Sequence, residues 1–225
     1  MFAVTIDGKA GCGKSTLAEE LSKELNLKKF NTGAVYRGIT CEYKRALGNL
    51  EPNIEIIENF VKDLKIEVVF EENTQKVIVN DNDYTYFLRD EEISNFVAKV
   101  SPFNAVRIKV RDIQREFAKN NDCIMEGRDI GTVVLPDAKC KLFITASAEV
   151  RAQRRFEQLK LTPDCPTYEE ILEEINDRDN QDVNREHGAL LPAEDGIIID
   201  NSNETLEETI ERCKKIILEK MEENK

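Results

Sequence analysis

Eight residues near the start of the chain, Gly8-Lys9-Ala10-Gly11-Cys12-Gly13-Lys14-Ser15, fit the pattern G-x-x-x-x-G-K-[ST] at every fixed position. Residues spaced this way hold the phosphates of a nucleotide. The glycines let the backbone wrap closely, its N–H groups turn inward, and the helix that follows points its positive end at the anion. Lys14 would reach the outer phosphates, and the Ser15 hydroxyl would sit on the Mg²⁺ that accompanies them. The apolar run Phe2–Ile6 before the loop and Thr16 after it supply the strand–loop–helix context that the motif needs. Gly8 through Thr16 are therefore the candidate ATP cradle.

The phosphates are polyanionic, yet the chain has 44 acidic against 32 basic residues, a net charge of −12. That balance argues against a nucleic-acid or membrane surface, either of which requires a basic footprint. Further anion binding must come from local clusters of arginine, and three helical segments supply them. Arg151, Arg154 and Arg155 stand at i, i+3 and i+4; Arg178, Asp182 and Arg185 stand at i, i+4 and i+7. Arg107, Arg111 and Arg115 share a third face, with Arg107 nearest the helix start and favoured for that reason. The plain alternative is a solvated face laced with Asp/Arg pairs. Arginine outnumbers lysine in these stripes, and its planar fork suits bidentate phosphate contacts.

Two shorter segments add to this set. Glu126-Gly127-Arg128-Asp129 follows the apolar run Cys123–Met125 and so falls at a strand's carboxyl end, the ligand edge of an open α/β sheet. It also reads as a turn closed by Asp129 with Arg128 in solvent. Asn31-Thr32-Gly33-Ala34-Val35-Tyr36-Arg37 enters a helix. Either Thr32 caps that helix, or Arg37 and the Thr32 and Tyr36 hydroxyls surround a second anion. Cysteines at 12, 41, 123, 140, 165 and 213 form no CxxC pair, and the single histidine, His187, has no assigned role. Scattered reduced thiols of a cytosolic protein are the expectation, not a zinc site.

To position these groups, the chain alternates strands and helices. Strands are predicted at Phe2–Ile6, Lys28–Phe30, Cys123–Met125, Lys141–Thr145 and Gly196–Asp200. Helices are predicted to begin at Ser15, around Gly33, at Asn53, at Glu91, near Asn104, at Ala148, at Tyr168 and at Thr205. This order predicts an α/β fold with a mostly parallel sheet. Lys65–Phe70, Lys76–Val79 and Tyr84–Leu88, joined by polar turns, predict a small antiparallel meander inserted into it. The polar helical stretch from Arg151 to His187 is a second excursion, placed to close over the loop. No stretch approaches the length of an apolar membrane span.

With these segments together, the chain resembles the bacterial cytidylate kinases of the nucleoside monophosphate kinase group. The resemblance covers nearly the whole length. It rests on the loop Gly8–Thr16, on Thr32 to Arg37, and on the run Gly127-Arg128-Asp129-Ile130-Gly131-Thr132-Val133-Val134-Leu135-Pro136-Asp137-Ala138, its most specific part. It continues through Arg151 to Arg155 and Arg178 to Arg185. The resemblance implies a three-layer P-loop kinase in one domain: a core over about 1–35, 100–147 and 190–225, a CMP-binding part with the β insertion over about 36–99, and an arginine-rich helical lid over about 148–189. It implies Mg²⁺-ATP as donor and CMP or dCMP as acceptor. Arg37, Arg128 and Arg185 would engage the CMP phosphate, Arg178 and Asp182 the ribose, and Arg107 and Asp129 the cytosine, with Thr32 and Tyr36 nearby. Arg151 and Arg154 would join the ATP side, and Lys14, Arg128, Arg154 and Arg185 would carry the chemistry. The chain departs from the family pattern at Lys9, Asn31, Ala98, Glu126 and Gln181. A cytoplasmic monomer is the expectation. A kinase for another small acceptor (UMP, AMP or a shikimate-like compound) and a P-loop ATPase or switch are the alternatives.

Overall fold

The computed structural model describes residues 1–71, 74–85, 91–161, 165–184 and 188–224. The chain forms two compact units, one made of Met1–Lys29 with Asn121–Lys225 and the other of Phe30–Asn120.

The first unit is built on strand β1 (Ala3–Gly8), whose residues from Val4 onward are buried on both faces, polar Thr5 and Asp7 included. It is flanked in parallel by β6 (Cys123–Glu126) and β7 (Cys140–Thr145). With β2 (Lys28–Phe30) and β8 (Ile197–Asp200) the sheet runs in the order β2-β6-β1-β7-β8. Helix α1 (Lys14–Glu24) turns Leu17, Ala18 and Leu21 onto this sheet, and α8 (Leu206–Glu222) adds Ile210, Cys213 and Ile217 at i, i+3 and i+7. These side chains interdigitate with Val4, Ile6, Leu142, Ile144 and Ile199 to make the main core. Each buried aliphatic side chain contributes about 1.5–3 kcal/mol, so the five that line β1, β7 and β8 hold these strands firmly in place. Two further helices, α6 (Ala148–Leu159) and α7 (Tyr168–Val183), pack on one another through Ala152, Ile171 and Ile175, with Phe156 and Leu172 at the margin. Helix α7 starts in a capping box made by Thr167 and Glu170, and α8 repeats the device with Thr205 and Glu208.

The second unit contains helices α2 (Thr32–Leu47), α3 (Ile54–Lys62), α4 (Glu91–Val100) and α5 (Asn104–Asn120) with a separate antiparallel sheet. That sheet pairs β3 (Ile66–Glu71) with β4 (Thr74–Val79) and β4 with the short β5 (Asn82–Asp83). Glu42 of α2 is buried and ties the helix to the sheet. Its carboxylate accepts from Arg45 at 2.6 and 2.8 Å, from Asn80 at 3.0 Å and from the Tyr84 hydroxyl at 2.5 Å. The Tyr43 ring meets Phe60 and Phe96 with centroids 5.1 and 5.8 Å apart.

The mostly parallel sheet and the separate antiparallel meander are those predicted. The last strand of the meander differs. Its expected span is Tyr84–Leu88; β5 is Asn82–Asp83, Tyr84 and Thr85 follow it outside the strand, and residues 86–88 lie outside the described residues. Asn80 and Asp81 adopt positive φ (47° and 65°), a tight turn that starts pairing at once at Asn82. The Tyr84 N–H still donates to the Val77 carbonyl at 3.0 Å, but the Val77 N–H, which would bond the carbonyl of Tyr84, goes instead to the Thr85 hydroxyl at 3.2 Å. All six cysteines are free; five are buried, and Cys165, in the connection between α6 and α7, is partly exposed. Among the described residues no helix is long and apolar enough to cross a membrane.

Candidate active site

Strand β1 runs directly into the glycine loop. At Gly8 (φ +142°) the chain passes so close to β7 that a Cβ would lie 1.9 Å from the Ile144 carbonyl oxygen. The loop ends at Gly13 (φ +83°), which precedes α1 and gives it no side-chain cap. The first N–H groups of α1 are thus left for an external acceptor, and the helix dipole makes that acceptor an anion. Lys14 is buried beside them and folds back to donate to the Lys9 carbonyl at 2.6 Å. Burial, and after it the Arg128 charge, hold the Lys14 pKa below its ordinary value. A cation so placed gains when phosphate arrives.

The Ser15 hydroxyl donates to Glu126, at the carboxyl end of β6, at 2.8 Å. Serine and carboxylate oxygens side by side are the hard donors that Mg²⁺ prefers. No group of three or more His, Cys, Asp or Glu among the described residues could hold a metal by itself. The pair therefore suits an ion that takes most of its ligands from nucleotide phosphates and water.

The loop is braced from behind by α6 and the end of β8. Arg151 is buried and forks onto Asp179 of α7 at 3.1 and 2.7 Å, while also donating to the carbonyls of Ala146 and Ala10 at 3.0 and 3.1 Å. Lys9 reaches the same carboxylate at 3.2 Å. Arg154 donates to the Asn201 side chain at 3.1 Å and to the Asn201 carbonyl at 2.8 Å. Asn201 in turn donates its amide to the Cys12 carbonyl at 3.1 Å. Arg155 faces solvent.

Beyond Glu126 the chain enters Gly127-Arg128-Asp129. Arg128 does not hang in solvent: its Nε donates to the buried Asp182 at 2.6 Å. Asp129 opens a single π-helical turn over Ile130–Val134, its carbonyl accepting from the N–H groups of Val133 and Val134 at 2.9 and 3.1 Å. Such turns are frequent at functional sites. Both carboxylate oxygens of Asp7 reach the turn, accepting from the N–H of Ile130 at 2.9 Å and of Gly131 at 2.7 Å. Burial pushes the Asp7 carboxyl up to about 6, although those two N–H groups pull it down. Arg178 is exposed, whereas Arg185 and His187 lie outside the described residues.

In the second unit, the cap of α2 is Asn31, whose side chain accepts from the Ala34 N–H at 3.1 Å. The reading of Thr32 as the cap is therefore corrected: the preceding residue already has the extended backbone and the short acceptor that the job requires. Thr32 Oγ1 instead accepts from the amide of buried Gln114 on α5 at 2.9 Å, which leaves the hydroxyl proton to donate elsewhere. The Arg37 guanidinium lies over Gly33, and its Nε is buried with no hydrogen-bond partner among the described residues. Tyr36 and Arg107 are partly exposed on α2 and α5. The Nε of Arg111, which sequence spacing ranked below Arg107, is likewise buried and unpartnered among the described residues.

A family model described as cytidylate kinase matches residues 4–219. The chain belongs to the cytidylate kinase family. A cytidylate kinase from Caldicellulosiruptor saccharolyticus is 40% identical over 212 residues, which cover 93% of this chain and 92% of that one. One from Thermotoga maritima is 38% identical over 221 residues, 98% of each chain. Among solved structures, a gluconokinase from Sinorhizobium meliloti matches 99% of this chain and 94% of its own at 11% identity and a TM-score of 0.50, a likeness of fold alone.

Several residues of this cytidylate kinase family member escaped the sequence reading: Asp7, Asp179, Asn201, Gln114, and Glu126 as the partner of Ser15. Asp7 had a visible signal, a carboxylate directly after the run Phe2–Ile6 and before the first loop glycine. The others are recognisable only by partners far along the chain.

Proposed function

We propose that this chain transfers the γ-phosphoryl group of ATP to CMP or dCMP, giving ADP and CDP or dCDP. One observation carries the reading. The first unit sets a glycine loop with an uncapped helix and a buried lysine at the same sheet edge as Arg128, itself held by buried Asp182. A switch or simple ATPase has no need of the second cation.

Phosphoryl transfer requires positioning and charge neutralisation more than acid–base chemistry. The acceptor is a phosphate with a second pKa near about 6, so at neutral pH it attacks as the dianion without a dedicated base. Gly8 through Thr16 are proposed to hold the ATP phosphates. Lys14, Arg128, Arg154 and Arg185 would stabilise the charge that spreads over the transferring oxygens. Bound Mg²⁺, held through Ser15 and Glu126, would screen the charge of the donor phosphates. Arg37, Arg128 and Arg185 are proposed for the CMP phosphate, with the Thr32 and Tyr36 hydroxyls beside them. Arg178 and Asp182 would take the ribose. Asp129 would accept from the cytosine amino group while Arg107 donates to its N3 and O2. Helices α6 and α7 would act as the lid, excluding water that otherwise turns a kinase into an ATPase. We place the enzyme in the cytoplasm as a monomer.

The test is ADP release from Mg²⁺-ATP with CMP, dCMP, UMP, AMP and GMP in turn. Rapid turnover with CMP and dCMP, slower with UMP and none with purines, is expected. ATP hydrolysis indifferent to the acceptor would sink the proposal. On the donor side, Arg154→Ala should lower kcat by more than about tenfold, since it removes a cation and also frees the Asn201 brace on Cys12. Near-normal steady-state turnover would remove Arg154 from the machinery.

A further inference from the structure

Three consecutive residues of β1 hold three different parts of the first unit. The Ile6 carbonyl accepts from the Gly127 N–H at 3.0 Å. The Asp7 carboxylate takes the N–H groups of Ile130 and Gly131, at 2.9 and 2.7 Å. Gly8 then begins the phosphate loop. Arg128 and Asp129 lie between the two anchored points, so a stretch of two residues is pinned at both ends to the strand that carries the loop. The turn is also pressed on that strand. A Cβ at Gly131 would lie 2.8 Å from Thr5 Oγ1 and 3.3 Å from the Asp7 carboxylate.

We infer that Asp7 is a positioning residue for the phosphoryl acceptor, fixing Arg128 and Asp129 in register with the phosphate loop by holding the backbone of the turn that follows them. This rests on the kinase reading above. The physical case turns on what the carboxylate does at that point. A buried carboxylate costs free energy unless its oxygens are satisfied. Here both are satisfied by main-chain donors, which cannot swing away as side chains can. Charge-assisted bonds of this kind are about twice as strong as neutral ones. Asp7 touches neither substrate in this scheme. Its effect passes through Ile130 and Gly131 to the two residues before them. Because strand β1 also leads into Gly8, any shift of the turn changes the acceptor site relative to the donor site. Misplacement by about 1 Å costs on the order of 100-fold in rate.

The experiment compares the wild type with Asp7→Asn, which keeps size and shape but offers one acceptor oxygen instead of two. The expected result is a loss of kcat/KM for CMP on the order of 100-fold, with a raised KM for CMP. The dissociation constant of a non-hydrolysable ATP analogue should stay within about threefold, since the loop keeps its own contacts. Hydrogen exchange at the amides of Ile130 and Gly131 should accelerate while that of Gly127, bonded to Ile6, stays protected. A CMP kcat/KM within about threefold of wild type, or equal losses of CMP and ATP binding, overturns the inference. If Asp7→Asn does not fold, Gly131→Ala tests the same contact, because its methyl group wedges the turn away from Asp7, and it must show the same split between acceptor and donor. A wild type that turns over no CMP overturns the kinase reading instead. Unchanged protection of Ile130 and Gly131 in the variant then overturns the positioning role by itself.

Discussion

Lys14→Met is expected to lower kcat by on the order of 10³-fold, the scale found when a single preorganised cation or donor is removed from a charged transition state. In free energy that is about 4 kcal/mol. The side chain is buried, bonded to the Lys9 carbonyl, and its ammonium is held below its usual pKa chiefly by desolvation. Methionine is likewise unbranched, one atom shorter, and carries no charge. It removes the desolvation cost in the free protein, so thermal stability should change little or rise, while nucleotide affinity and turnover fall. This opposition separates Lys14 from a structural lysine. Turnover and calorimetric melting of one preparation suffice; a variant with a lowered melting point and near-normal kcat would make Lys14 a structural group.

Gly8→Ala should act in the reverse order, through the fold first. The added methyl would lie 1.9 Å from the Ile144 carbonyl oxygen and 2.9 Å from its carbon, both main-chain atoms of the adjacent strand. The two residues are in direct register, and β1 is hydrogen-bonded on both sides, to β6 and β7. No side chain can turn aside to make room. Overpacking of a core commonly costs about 1–3 kcal/mol, and a clash with fixed backbone belongs at or above the upper end of that range. For a chain of this size such a loss lowers Tm by about 10 °C. ATP binding should fall with it, since the strand delivers the loop. A thermal melt within about 2 °C of wild type would show that β1 and β7 can part at this point at little cost.

The sequence made some parts of this protein legible and hid others, for physical reasons. The glycine loop was readable because its function is carried by backbone shape, and the positions that need glycine follow one another. The strands Cys123–Glu126 and Ile197–Asp200 were readable as short apolar runs, and the helix starts because Asn53, Ser147, Thr167 and Thr205 cap them within three residues of their partners. The arginine stripes were visible as spacing, but their partners were not. Arg151 looked like a free phosphate ligand, and only the fold shows it forked onto Asp179, 28 residues away. Asn201 braces the loop across 189 residues, a relation without any local signature. Tyr84 to Leu88 alternates as a strand should, yet at Thr85 a side-chain hydroxyl takes the Val77 N–H that a continuing ladder would give to the Tyr84 carbonyl. Local rules describe elements well. They do not describe which carboxylate an arginine will find.

The distribution of thiols has a practical side. Burial pushes Cys123, Cys140 and Cys213 up to about 12 and raises Cys12 within the loop as well. A thiol held protonated and out of solvent is a poor nucleophile, so maleimides and mild oxidants should pass these four by. Cys165 alone among the six is partly exposed, between α6 and α7. The unmodified chain therefore carries one natural attachment point for a fluorophore, in the connection between the two helices that the proposed function makes the lid.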